Sequence, residues 1–406
     1  MNKRSSAITD AERVLVIARF YPPVLRARSI QAQRAVQALR KLGLDVRVIA
    51  ESGVYLSDAD EPNVGTNTKR DRKEFLNRLI TEFGLYFRLV RISWLSFPIM
   101  LKQVFADGWR PDCVLSMSTT FESHLVADEV AKQRRLPHAM FLGDPFPMWI
   151  APGPYANVPN RVYASLQMSV TKKVLRNADA LLAPTKEIGQ LLRSTFDEIQ
   201  DIPFVETLHV ASTDINEPEK PVGDSIYHVG QITAARCSDP VFDAMRQLAE
   251  HTEHRRDTFI FLGEVDTGFR MAVADLEESG FIRFGGLVSP ERSREVMRQA
   301  KALLLIEADM EAGPFLPSKI TDYAAARRPV VIVSNPGSAL ERVVANQTGV
   351  LTVPHQADRI LSALKAVLDP VFDQQPNFHK LFTPETVGAR YLAGIKAACD
   401  RFTRTE

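Results

Sequence analysis

Two doubly wound α/β domains are expected from three features of the chain. Short apolar runs alternate with amphipathic stretches along nearly its whole length, the alternation breaks once near the middle, and 406 residues exceed what one hydrophobic core usually serves. The first apolar run, Val14-Leu15-Val16-Ile17, leads through a loop carrying Tyr21-Pro22-Pro23 into a helical pattern from Ser29 to Leu42, with Gly43 as its stop. Val46 to Ile49 is the next run, and strand, helix, strand in that order is a βαβ unit, which implies parallel pairing. Further strands are expected at Cys113–Met117, Ala139–Leu142 and Ala180–Ala183, with helices over 123–134, 160–177 and 185–195, so that 1–205 forms the first Rossmann-like domain. The periodicity stops over 206–225, where Pro218, Pro221 and Gly223 mark a linker. It restarts at Ile226-Tyr227-His228-Val229-Gly230. Strands over 258–263, 281–284, 302–306, 329–333 and 349–352 then alternate with helices over 239–250, 268–279, 290–300, 338–345 and 356–368, giving a second domain over 226–380. The last segment, 381–406, reads as an amphipathic helix from Pro384 to Phe402 that returns to the first domain.

Segment 69–108 departs from this rhythm, interleaving Phe75, Phe83, Phe87, Trp94 and Phe97 with Arg70, Lys73, Arg78, Arg88, Arg91 and Lys102. Two readings are open: an interfacial helix on an anionic membrane surface, or core helices with basic outer faces. Composition limits the rest. A formal net charge of +1 gives no global case for nucleic acid. The three cysteines, Cys113, Cys237 and Cys399, lack metal-ligand spacing and read as core residues of a reducing compartment. Met-Asn-Lys-Arg-Ser-Ser has no apolar h-region, and no stretch reaches the roughly 20 apolar residues that span a bilayer, so the expected location is cytoplasmic, with the inner membrane face as a possible surface of action.

The most informative stretch is Phe315-Leu316-Pro317-Ser318-Lys319-Ile320-Thr321-Asp322-Tyr323, a loop entering a short helix that ends at Arg327-Arg328 before the apolar run Val330–Val333. Ser318 reads as the N-cap, which sets Lys319 and Asp322 on one helical face near the positive end of the dipole. A lysine there can take up diphosphate charge and a carboxylate can accept from ribose hydroxyls; a solvated surface pair is the plainer alternative. Two doubly wound domains bind at the carboxyl ends of their strands, which predicts a ligand in the cleft between them. Arg236 follows Val229-Gly230 in the loop before the next helix and joins Lys319 as a candidate diphosphate clamp. Asp144 in Leu142-Gly143-Asp144-Pro145 reads either as a site residue after a strand, aimed at the cleft, or as an Asx turn, and His124 either as a site residue or as an ordinary buried histidine.

These motifs resemble the retaining glycosyltransferases of family four, which have the two-domain GT-B fold. The resemblance runs from Phe20-Tyr21-Pro22-Pro23 and Leu42–Ile49, through Asn177–Pro184, to Val229-Gly230, Phe284-Gly285-Gly286-Leu287 and the Pro317-Ser318-Lys319 motif, the last similar to a subgroup of bacterial surface-glycan assembly. It implies transfer of a sugar from a nucleotide diphosphate sugar to a lipid-linked or glycan acceptor, with no cofactor and no metal. It also implies that Asp322 and Ser318 lie at the nucleotide, that Arg236 and Lys319 neutralise the diphosphate, that Leu287 and Val288 meet the base, and that Asp144 serves the reacting sugar, with His124 as the second catalytic candidate. The chain departs from the family pattern in three places. The position eight before Asp322 is Pro314, and Glu311, the nearby acidic candidate for the donor, sits in a loop of different length. The second carboxylate is Asp in place of the common Glu. Val24-Leu25-Arg26-Ala27-Arg28 replaces the glycine-rich turn after the first strand, which makes Arg26 and Arg28 candidate contacts for an acceptor or phosphate. A degenerate binding or scaffold subunit and a nucleotide-sugar epimerase are the alternatives.

Overall fold

The computed structural model describes residues 11–57 and 97–405, apart from 25, 119–120, 159, 213–219, 252–256, 370–371 and 373–375. The chain divides into two compact units. One comprises Met1–Ala151, Tyr155–Val210 and Pro384–Glu406; the other comprises Pro152–Pro154 and Ala211–Thr383.

In the first unit, β1 (Arg13–Ala18), β2 (Asp45–Ala50), β3 (Gly53–Tyr55), β4 (Cys113–Ser118), β5 (His138–Leu142), β6 (Ala180–Ala183) and β7 (Phe204–Glu206) form a seven-stranded sheet in the order β3-β2-β1-β4-β5-β6-β7. Every pairing is parallel except β2 with β3. Helices cover both faces, so β5 and β6 are buried at every residue and, apart from His138 at the start of β5, read as apolar runs. The helices are α1 (Ala27–Lys41), α2 (Phe97–Val104), α3 (Glu122–Arg134), α4 (Arg161–Leu175) and α5 (Lys186–Thr195), joined by the C-terminal helix Pro384–Thr405. Tyr391, Ile395 and Ala398 of that last helix share one core cluster with Val36 and Leu39 of α1. Residues 69–96 of the amphipathic segment lie outside the described residues. The part that is described turns inward, with Met100 and Val104 of α2 packed with Trp109, Leu15 and Ile49.

The described residues of the second unit form six strands, β8 (Ile226–Val229), β9 (Phe259–Leu262), β10 (Ile282–Gly286), β11 (Ala302–Ile306), β12 (Val330–Val333) and β13 (Val350–Val353), all parallel, in the order β10-β9-β8-β11-β12-β13. Its helices are α6 (Asp239–His251), α7 (Thr267–Ala272), α8 (Ala274–Glu278), α9 (Pro290–Gln299), α10 (Lys319–Ala326), α11 (Ala339–Val344) and α12 (Ala357–Leu368). Several start where the sequence supplies a cap. Ser289 accepts from the Arg292 N–H with Pro290 at the first helical position, and Ser338 accepts from Glu341. The single helix expected over 268–279 is two short ones, because Val273 leaves helical geometry to enter the core beside Phe269 and Leu276. Chain direction across the sheet reverses between β8 and β11, so the loops leaving those two strands form its topological switch point.

Candidate functional site

Four side chains converge at that switch point. Lys319, the first residue of α10, runs its stem across Gly230, the residue after β8; a Cβ on Gly230 would lie 2.3 Å from Lys319 Cε. Gly230 has φ +117, a conformation that side chains rarely adopt, so its identity answers to both backbone and space. The Lys319 ammonium donates to the Gln231 carbonyl oxygen and lies 3.1 Å from His228 Nε2. Arg236, at the end of the short turn after β8, donates from Nη1 to the same carbonyl at 2.9 Å, while its Nε is buried without a hydrogen-bond partner. Two basic groups thus share one acceptor. Burial, reinforced by the Arg236 charge, brings the Lys319 ammonium down to about 6.

Tyr323, one turn along α10, fastens the helix to the sheet. Its hydroxyl accepts from the Val229 N–H at 2.9 Å and donates to the Leu304 carbonyl at 3.2 Å. Glu307, directly after β11, is 6% exposed and accepts from the Ser334 hydroxyl, itself 2.7 Å from Ser338 Oγ. Burial pushes its carboxyl up to about 7, opposed by the Ser334 hydrogen bond and the Arg236 charge. An acid raised from its ordinary value contributes most to stability while it is protonated, and that contribution disappears as pH rises through about 7. The difference in unfolding free energy between pH 5 and pH 8 is therefore expected to change by about 2 kcal/mol in Glu307→Gln, the variant gaining at the alkaline end. Urea unfolding at the two pH values measures this, and identical pH slopes for variant and parent would remove Glu307 as the group responsible.

The structure corrects part of the sequence reading of this motif. Ser318 makes no side-chain cap, because it already has helical dihedrals (φ −60, ψ −22). The chain enters α10 through tight turns, Ile320 N–H to Pro317 O and Thr321 N–H to Ser318 O, and the Thr321 hydroxyl also donates to Ser318 O. Lys319 and Asp322 do not point to one place: Lys319 reaches β8, whereas Asp322 lines a hollow with Ser212, Arg294, Met297 and Arg298. Glu311 is exposed in the loop after β11. Leu287 is 77% exposed after β10, while the adjacent Val288 packs partly buried against Ile260, Leu262 and Val296. His228 and Glu307 were missed by sequence reasoning. The signal for each was a polar residue within or directly after a run that is otherwise wholly apolar.

In the first unit, the structure pairs two of the predicted residues. Arg28, in the first turn of α1, forms an ion pair with Asp144 after β5. The approach depends on Gly143, where a Cβ would fall 2.3 Å from Arg28 Nη1. Beside the pair, Phe20, Gln31, Met117 and Phe141 line a small hollow with Arg28 and Gly143. Arg26 is exposed and lies over the Phe20 ring at 4.9 Å. His124 is buried, 1% exposed, with Nδ1 2.7 Å from Ser116 Oγ, which is 2.8 Å from His138 Nε2. That chain of buried polar groups satisfies His124 inside the core; it does not bring it to Arg28 and Asp144.

Residues 29–200 match the family model of the glycosyl transferase 4-like domain. Among curated proteins no sequence match was found. Three solved structures align with nearly the whole chain. Sucrose-phosphate synthase from Thermosynechococcus elongatus has a TM-score of 0.56 at 14% identity, covering 97% of each chain. AviGT4, a glycosyltransferase involved in avilamycin A biosynthesis, gives 0.54 at 12% identity, covering 98% of each. The lipopolysaccharide outer core galactosyltransferase WaaB, in its apo form, gives 0.53 at 15%, covering 94% of this chain and 99% of that one. The chain has the GT-B fold. Within GT-B, the cluster of Lys319, Arg236, His228 and Glu307 belongs to the C-terminal half, and the Arg28–Asp144 pair to the N-terminal half. Among the described residues no group of three or more His, Cys, Asp or Glu is placed to hold a metal ion, and no helix is long and apolar enough to cross a membrane.

Proposed function

We propose that this chain is a glycosyltransferase. It binds a nucleoside diphosphate sugar at the switch point of its C-terminal sheet and transfers the sugar, with retention of configuration, to a hydroxyl of a lipid-linked or glycan acceptor in bacterial surface-glycan assembly. The observation that carries the reading is the convergence of Lys319 and Arg236 on the Gln231 carbonyl at the carboxyl end of β8. Two basic groups turned on one neutral acceptor make a site short of negative charge, and a diphosphate supplies the missing anion, drawing a proton onto Lys319 as it binds. When the glycosidic bond breaks, charge grows on that diphosphate, so Arg236 and the Lys319 protonated on binding, both already in place, stabilise the departing group with little reorganisation. Asp322 is the candidate for the ribose, Leu287 and Val288 for the base, and Arg28 with Asp144 for the reacting sugar or its acceptor. The glycosyl transferase 4-like match over 29–200 supports the same reading for the N-terminal half.

A thermal-shift screen against UDP, GDP, ADP, dTDP and their sugar conjugates tests it. One base family should stabilise the protein, by about 2.7 kcal/mol at ligand a hundredfold above Kd, and Arg236→Ala should lose that shift. Transfer assays with the conjugate so identified, followed by the anomeric configuration of the product, then test turnover and retention. A protein that no nucleotide stabilises would sink the enzyme reading and favour a scaffold subunit.

A further inference from the structure

His228 lies in the middle of the switch-point cluster, on a strand whose neighbours are apolar, and it is 1% exposed. Its Nδ1 faces the Leu304 carbonyl oxygen at 3.0 Å. A carbonyl only accepts, so Nδ1 carries the proton and donates; the neutral ring then presents a lone pair at Nε2. That lone pair meets the Lys319 ammonium at 3.1 Å. The Leu304 carbonyl also accepts from the Tyr323 hydroxyl, so a single backbone oxygen on β11 anchors both the imidazole and the helix that carries the lysine. From there a continuous path runs through His228 and Lys319 to the Gln231 carbonyl and on to Arg236. Burial, with the basic groups Lys319 and Arg236 beside it, holds the imidazole well below its ordinary range, so it remains an acceptor through neutral pH.

We propose that His228 is a positioning residue for the diphosphate: by accepting from Lys319 it fixes that side chain beside Arg236, so that the two groups meet the anion as one preformed clamp. The proposal rests on the donor reading above. The charged and titratable groups around the lysine are His228 on β8, Arg236 in the following turn and Tyr323 on its own helix, with Glu307 after β11 acting on Arg236 and Asp322 turned to the hollow beside α9. Held in this dry setting, Lys319 is largely neutral above about pH 6 and takes up a proton when the diphosphate arrives. Freed from His228, the flexible stem swings toward water and the lysine stays charged throughout.

Calorimetric titration of UDP, GDP, ADP and dTDP between pH 6.5 and 8.5 distinguishes these states. For the parent, affinity for the diphosphate that binds should fall close to tenfold per pH unit, beyond any effect of the ligand's own phosphate, which is common to all variants. His228→Leu should raise Kd tenfold or more and flatten that pH slope. His228→Gln, whose amide oxygen reaches the place of Nε2, should restore both, whereas the shorter His228→Asn should not; this pair carries the test where His228→Leu fails to fold. A merely structural histidine would shift stability and leave the pH slope alone. Parent-like Kd and slope in His228→Leu, or Gln performing no better than Asn, would overturn the proposal while leaving the donor reading in place. Absence of binding by the parent at every pH would overturn both.

Discussion

Lys319→Met is expected to give a protein that resists unfolding better than its parent and binds no nucleoside diphosphate. The two effects share one cause. In the folded chain the ammonium is desolvated and faces a second cation, which brings it from an ordinary lysine value to about 6. A base depressed in this way opposes folding most below that value, and its cost shrinks as pH rises from about 6 toward 10.5, because over that window the unfolded chain holds a proton that the native one has released. Methionine fits the same unbranched channel over Gly230 with no charge to desolvate. The gain should be on the order of 2 kcal/mol near pH 6 and should fade at alkaline pH. Binding goes the other way, since removal of one arm of the clamp leaves Arg236 alone. Thermal unfolding at pH 6 and pH 9, with and without the diphosphate that stabilises the parent, reads both halves. A variant that is less stable than the parent at pH 6, or that keeps the ligand-induced shift, would contradict the assignment of Lys319. Stability sacrificed at a single buried cation is the usual signature of a residue retained for function.

The fold was legible because parallel strands buried on both faces must be written as unbroken apolar runs, and such runs between amphipathic stretches admit few alternatives. Val330–Val333 and Ala302–Ile306 are of this kind, and each strand lies within one residue of its expected place. Less legible were elements whose pairing is decided by tertiary context. The three-residue strands β3 and β7 carry too few residues for a period, and β3 joins the sheet at its edge by antiparallel pairing with β2. The break at Val273 was hidden because an apolar residue at that spacing suits one helix as well as two.

For the site, the sequence located Lys319 and Arg236 but not their partners. Position after a strand and a glycine sufficed to single out Arg236, whereas the meeting of His228 with Lys319 depends on a crossing over Gly230 between residues far apart in sequence. Helical spacing also misplaced Asp322 relative to Lys319. A one-turn separation fixes where the two Cα atoms sit, but the lysine stem is long enough to leave its own face for a carbonyl on another element. Likewise the identity of Ser318 alone suggests a cap, while the tight turns that begin α10 use its carbonyl instead.

Gly263→Ala is expected to cost about 3 to 5 kcal/mol and to remove both folding and binding in the C-terminal unit at modest temperature. Gly263 follows β9 with φ +123, and a Cβ there would stand 2.7 Å from both the carbonyl carbon and the carbonyl oxygen of Gly230. The obstacle is backbone, which cannot rotate aside as a side chain can. It is also backbone held on both sides: the Gly230 N–H donates to the Leu262 carbonyl at 2.6 Å and the Gly263 N–H to the Gly286 carbonyl at 2.7 Å, so relief at one strand end disturbs the next. Gly230→Ala provides the contrast. Its φ of +117 also penalises a side chain, but the new methyl would meet Lys319 Cε, the far end of a flexible stem. That variant should lose less stability than Gly263→Ala and yet lose the diphosphate as completely as Lys319→Met, because the lysine is expelled from the clamp. Urea midpoints of the two alanine variants, with nucleotide affinity measured on whichever folds, separate the cases. Equal stability losses would mean that backbone strain alone governs both glycines; a Gly230→Ala protein that still binds the diphosphate would show that the lysine reaches its station by another route.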